Sequence, residues 1–148
     1  MKLLIIDDEQ YIRESLTNDI EWGKLGFQLI GVASSGKEAL QLIDQHKPDI
    51  LLSDILMPDM TGLELLKTLR MGDIQTPVVF LSGWSNFEYA REAIILGASN
   101  YLLKPCPDEE IVEALIDIKN QVQKTEIVTR PIIEQPDIQS NKHVIKLA

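Results

Sequence analysis

Ile50-Leu51-Leu52-Ser53-Asp54-Ile55-Leu56-Met57-Pro58 is the stretch that decides the fold. An apolar run without alternation leads into a carboxylate, and a turn-forming proline follows shortly after. A strand that is apolar at successive positions is buried on both faces, as in a parallel sheet covered by helices. Four other runs have the same form: Leu3 to Ile6, Leu29 to Val32, Val78 to Leu81 and Tyr101 to Leu103. Each gap between runs has room for a helix and carries apolar residues at helical steps. These are Ile12, Leu16 and Ile20, then Ala39 and Ile43, then Leu65 and Leu69, then Ala90 and Ile94. A fifth pattern, Ile111, Leu115, Ile118 and Val122, follows Asp108, which is read as its N-cap. Gly23, Gly26, Pro48 and Pro77 fall ahead of the strands as breakers.

This alternation predicts an α/β fold, a doubly wound (βα)5 parallel sheet with the flavodoxin-like strand order 2-1-3-4-5. In such sheets ligands bind beyond the carboxyl ends of the strands. Asp7 and Asp8 follow the first strand, Asp54 the third, Ser82 ends the fourth and Lys104 follows the fifth. With the first and third strands adjacent, three carboxylates meet and repel one another unless a cation neutralises them. Mg²⁺ suits this all-oxygen set. Lys104 adds a fixed positive charge and Ser82 a hydrogen-bond donor, which is what a phosphoryl group requires. Asp54 is then the nucleophile, forming an acyl phosphate.

The 148 residues, 45% apolar and 25% charged, suit one compact domain and a short remainder. No apolar stretch is long enough to cross a bilayer and the start lacks a signal-peptide pattern, so a cytoplasmic location is expected. The single cysteine, Cys106, excludes an internal disulfide, and with His46 and His143 it forms no zinc-type spacing. With 23 acidic and 14 basic side chains the net charge is −9, which repels a nucleic acid backbone. From about Thr125 onward the composition shifts to Pro131, Gln135, Pro136, Gln139, Ser140 and Asn141. This divides the chain into a domain over 1–124 and a linker over 125–148. The last residues, Asn141 to Ala148, open a helix-like pattern without a C-cap, as at the start of a truncated further domain.

Four blocks together resemble the receiver domain of two-component response regulators. They are Ile5-Ile6-Asp7-Asp8-Glu9, the segment Ser53-Asp54 through Gly62-Leu63-Glu64, Leu81-Ser82-Gly83, and Gly97-Ala98-Ser99-Asn100-Tyr101-Leu102-Leu103-Lys104-Pro105. The resemblance covers about residues 2 to 124. It implies that Asp54 is the phosphoacceptor for a sensor histidine kinase, and that Asp8, Asp54 and the Leu56 main-chain carbonyl hold Mg²⁺, with Asp7 acting through water. It further implies that Lys104 and Ser82 assist phosphoryl transfer, that Ser82 and Tyr101 form a switch pair, and that Lys104-Pro105 is a cis peptide. The blocks from Gly83 to Ala90 and from Tyr101 to Pro105 are similar to receivers that precede AraC-type helix-turn-helix domains. DNA binding then belongs to an output domain absent from this chain, and homodimerisation accompanies phosphorylation. Asn100 stands where many dimerising receivers carry an acid, which puts the salt-bridged form of that dimer in doubt.

Rival readings fit less well. An aspartyl phosphatase, a turnover enzyme, places a second carboxylate two residues beyond its nucleophile, where this chain has Leu56. A flavin module has phosphate-cradling hydroxyl and glycine residues after its first strand, where Asp7 and Asp8 would repel phosphate. A degenerate receiver lacks some of the acidic, hydroxyl and lysine positions, all of which are filled here. Leu56 and Trp84 flank the acceptor with apolar bulk, so slow self-dephosphorylation is expected. Cys106 reads as packing or tolerated surface, His46 as an imidazole favoured at a helix C-terminus by the dipole, and Trp22 as filler before Gly23.

Overall fold

The computed structural model describes residues 1–83 and 87–134, with side chains described as far as 124. The elements are β1 (Lys2–Ile6), α1 (Gln10–Asp19), a 3₁₀ turn (Trp22–Leu25), β2 (Gln28–Ala33), α2 (Gly36–His46), β3 (Ile50–Ser53), α3 (Gly62–Met71), β4 (Val78–Ser82), α4 (Phe87–Ile95), β5 (Asn100–Leu103) and α5 (Asp108–Glu134). Five parallel strands lie in the order β2-β1-β3-β4-β5. This is the expected doubly wound sheet.

Strand pleating assigns successive residues to opposite faces. Along β1, Leu4 and Ile6 join Leu51, Leu66, Val78 and Phe80 on the side covered by α2, α3 and α4. Leu3 and Ile5 join Ile50, Leu52, Val79 and Leu81 on the side covered by α1 and α5. The central strands β3 and β4 are buried at every position, whereas the edge strands β2 and β5 are only partly covered. The edge run Tyr101 to Leu103 is as continuous as Ile50 to Leu52 at the centre, so sequence alone does not separate edge from core there. Trp22 fills the α1/α5 side as expected: its indole N–H donates to Leu16 O at 2.9 Å and its ring meets Phe27 edge-on.

Two expectations need correction. Ile94 faces solvent, and the buried residue of α4 is Ala93. The helix carries apolar residues around most of its circumference, so the four-residue step from Ala90 to Ile94 does not select the inner face. Asp108 lies in the first turn of α5, where the Pro107 carbonyl accepts from Glu110 N and Ile111 N; Asp108 is not the cap. The segment from 125 onward begins as helix: α5 runs through Thr125 to Glu134, so the first part of the expected linker is helical. Thr125 to Arg130 contains neither glycine nor proline, so nothing in that stretch stops an established helix, and α5 runs on past Pro131 as well.

Candidate functional site

Asp54 stands one residue beyond β3, and its position is fixed by backbone bonding. Its N–H donates to Ile6 O at 2.8 Å, tying the end of β3 to the end of β1, and its Oδ1 accepts from Ile55 N at 2.7 Å. The chain then turns back sharply, with Gly62 N donating to Ile55 O at 2.7 Å. A Cβ at Gly62 would collide with the Asp54 carbonyl and crowd the Phe80 ring. Glycine there lets α3 start against the acceptor loop. Thr61 closes the entry as N-cap: its hydroxyl accepts from Glu64 N and Glu64 accepts from Thr61 N, a reciprocal capping box.

The β1 end supplies Asp7, whose Oδ1 accepts from Glu9 N at 2.9 Å while its main-chain oxygen accepts from Arg13 Nη1 at 2.7 Å. The β5 end supplies Lys104, held by its N–H donating to Ser82 O and preceding a cis bond to Pro105. Lys104 Nζ reaches Asp7 Oδ2 at 2.8 Å, Asp54 Oδ2 at 3.4 Å and Glu9 Oε1 at 3.7 Å. Residues far apart in sequence therefore meet at one rim. Asp54 is 7% exposed and Asp7 2%.

Burial pushes the Asp54 carboxyl up to about 6, and the neighbouring charges of Asp7 and Asp8 add to the rise against the pull of Lys104. Asp7 is raised as well, chiefly by burial, with the Lys104 and Glu9 hydrogen bonds opposing. Burial works against the Lys104 charge, but the hydrogen bond and charge of Asp7, then Asp54 and Glu9, hold its pKa above the usual lysine value. The pocket carries more negative charge than one ammonium settles, the condition a further cation relieves.

Oxygens of Asp7, Glu9 and Asp54 lie within 4.8 Å of one another, close enough to share an ion. An all-carboxylate set fits a hard cation such as Mg²⁺. Glu9 was not anticipated; it is drawn in because Asp7 folds the β1–α1 loop back through the Glu9 N–H. The only sequence signal is a third consecutive acid after the strand. Asp8 is exposed and lines a cavity of about 170 Å³ with Glu9, Asp54, Leu56, Gly83 and Lys104. The rim thus gathers Asp7, Asp8, Asp54, Leu56 and Lys104. Trp84 lies outside the described residues.

Ser82 is fully buried at the end of β4 and shares a hydrogen bond with the Tyr101 side chain. The Tyr101 ring packs at a tilt against Phe80, centroids 6.5 Å apart, and burial raises its hydroxyl pKa. The pair is therefore already in contact, with Tyr101 turned toward the sheet. Cys106 donates to Glu110 Oε2, and burial followed by that carboxylate pushes the thiol up to about 11, which disfavours the nucleophilic thiolate.

Residues 3–116 match the family profile described as the response regulator receiver domain. The chain belongs to that family. It is 39% identical over 126 residues to the transcriptional regulatory protein YesN of Bacillus subtilis, covering 85% of this receiver chain and 34% of YesN. It is 42% identical over 104 residues to the transcriptional regulatory protein HptR of Staphylococcus aureus, covering 70% of the chain and 40% of HptR. The receiver therefore spans less than half the length of these relatives. Among solved structures, the REC domain of AraT, a response regulator from Geobacillus stearothermophilus, superposes with a TM-score of 0.73 at 37% identity, covering 82% of this chain and 97% of that one. CheY of Borrelia burgdorferi, solved in a complex with CheX, BeF3 and Mg²⁺, is also similar, with a TM-score of 0.73 at 26% identity, covering 80% and 88%. Receiver domains are phosphoacceptor switches with an acidic Mg²⁺ pocket, the kind of pocket found at this rim.

Proposed function

We propose that Asp54 accepts a phosphoryl group from the phosphohistidine of a sensor histidine kinase. The observation that carries this reading is the convergence of Asp54, Asp7 and Lys104 from three strand ends onto one buried, over-acidic rim. An Asp54 oxygen forms the new P–O bond while the P–N bond to the donor imidazole breaks. The imidazole leaves with the electron pair and takes a proton from solvent. Lys104 offsets charge on the phosphoryl oxygens, and Ser82 donates a hydrogen bond to one of them. Asp8, Asp54 and the Leu56 carbonyl would hold Mg²⁺, with Asp7 engaged through water and Glu9 within reach of the same ion. When bound, Mg²⁺ supplies further neutralisation of the phosphoryl oxygens. The site works as a phosphoacceptor that assists its own labelling and slow hydrolysis, not as a turnover enzyme.

The added charge of about −1.5 to −2 biases Ser82 toward the phosphate, and Tyr101, hydrogen-bonded to it, follows. The surface formed by α4, β5 and α5 is then the one that changes for a partner, with dimerisation on phosphorylation as one outcome. Residues 1–124 form the receiver, and 125–148 lead toward an output domain of AraC type that contacts DNA. The names of YesN and HptR as transcriptional regulatory proteins, and the fraction of them this chain spans, support that arrangement. A cytoplasmic location accords with a kinase partner; among the described residues no helix is long and apolar enough to cross a membrane. Incubation with Mg²⁺ and acetyl phosphate, followed by peptide mass spectrometry, is expected to label Asp54 and to leave Asp54→Ala unlabelled. Equal labelling of that variant would remove Asp54 from its role.

A further inference from the structure

A second concavity, of about 610 Å³, lies between α5 and the end of α1 with its following 3₁₀ turn, and its lining shares no residue with the 170 Å³ cavity at the rim. Its floor is apolar: Ile20, Leu25, Val112 and Ile116. Leu25, Val112 and Ile116 remain partly exposed there, uncovered by any described element of the chain. Its walls carry six carboxylates, Asp19 and Glu21 from one side and Asp108, Glu109, Glu113 and Asp117 from the other. Among the described residues the single cation on the lining, Lys24, pairs with Glu21 at 2.7 Å.

Two features together choose the occupant. The α5 contribution repeats as neighbouring pairs, 108 and 109, 112 and 113, 116 and 117, along about 14 Å of helix axis. Partly exposed Val112 and Ile116 each stand beside an exposed acid. A groove of that form receives the ridge of another helix, over two to three turns. The carboxylates then exclude several classes of partner. A nucleic acid or an anionic membrane is repelled, and a second copy brings the same acidic walls and a net charge of −9. We propose that this groove docks a basic amphipathic helix of a partner protein, with its aliphatic stripe on Val112 and Ile116 and its lysines or arginines against the acidic walls. The exposed apolar residues of α4 carry no comparable charge signature and specify no occupant.

The test uses the full chain and a labelled synthetic peptide of about 14 residues, leucine at helical spacing and lysine elsewhere, beside a scrambled peptide of the same composition. Fluorescence anisotropy is expected to give binding about tenfold tighter for the amphipathic peptide than for the scrambled one. Glu113→Lys combined with Asp117→Lys weakens it by about tenfold, and Asp44→Lys combined with Glu92→Lys, on α2 and α4, leaves it within about twofold. All four side chains are exposed, so folding is preserved, and matched thermal unfolding checks this; Glu113→Gln with Asp117→Gln gives a milder version of the same loss. Amide shifts on peptide addition fall on residues 19–25 and 108–117. Equal affinity for both peptides, equal weakening by the α2 and α4 reversal, or shifts centred elsewhere would overturn the proposal. So would sedimentation showing that the chain self-associates through this face.

Discussion

Helices α3 and α4 follow neighbouring central strands, yet they are held to the sheet very differently. The first buries Gly62, Leu63, Leu65, Leu66 and Leu69 and begins with a closed capping box. The second buries only Ala93 and leaves Phe87 76% and Ile94 71% exposed. Asp54 leads into the first helix and Ser82 stands before the second. The acceptor thus sits on the rigid side of the site and the responding hydroxyl on the loosely packed side, where local rearrangement costs least. A receiver needs both: geometry fixed to within a fraction of an ångström around the carboxylates, and a nearby element that a new charge can move.

The sharpest way to break this contrast is truncation on each helix. Leu66→Ala is expected to lose about 2 to 5 kcal/mol in denaturant unfolding, because it opens a cavity in a fully buried layer. Ile94→Ala is expected to stay within about 0.5 kcal/mol. Comparable losses at both positions would mean that α4 is packed as firmly as α3.

A slightly smaller effect comes from the acceptor itself. Asp54 holds its proton up to about 6 in the folded protein against 3.8 for the ordinary group. The folded state therefore binds more protons than the unfolded chain across that window, and stability falls as pH rises through it. In metal-free protein Asp54→Asn should gain up to about 2 to 3 kcal/mol above pH 6, with the gain vanishing below about pH 4. Added Mg²⁺ should shrink the gain by stabilising the wild type. A gain independent of pH would show that carboxylate burial is not its source.

Next in size, Thr61→Ala should cost about 1 kcal/mol by opening the α3 capping box, with phosphorylation of Asp54 still occurring. The smallest expected change concerns lifetime. Leu56→Asn replaces a half-buried apolar neighbour of Asp54 with a group that can hold water, and the acyl phosphate should then decay severalfold faster. An unchanged decay rate would mean that Leu56 does not screen the site.

The sheet was legible because unalternating runs such as Leu3 to Ile6 and Ile50 to Leu52 allow only strands buried on both faces. The rim was legible for the same reason, since four of the five runs lead directly into a functional residue. Other features were hidden because they depend on contacts that no local pattern records. Glu9 enters the pocket through a loop hydrogen bond to Asp7. Asp59 accepts from Gly36 N and Lys37 N, joining the acceptor loop to the start of α2 across more than twenty residues. The inner face of α4 was ambiguous because Phe87, Tyr89, Ala90, Ala93, Ile94 and Ile95 leave no clear polar side. The helical form of residues 125–134 was hidden because the change in composition at Thr125 carries no glycine or proline before Pro131, and α5 passes that proline too.

Hydrogen exchange with and without Mg²⁺ and acetyl phosphate tests most directly whether charge on Asp54 is read by the loosely held side. Protection should change across residues 87–103 and stay constant across residues 63–71, and Asp54→Asn should abolish the change. Fully phosphorylated protein with unchanged exchange in 87–103, or with equal changes in both segments, would contradict the account.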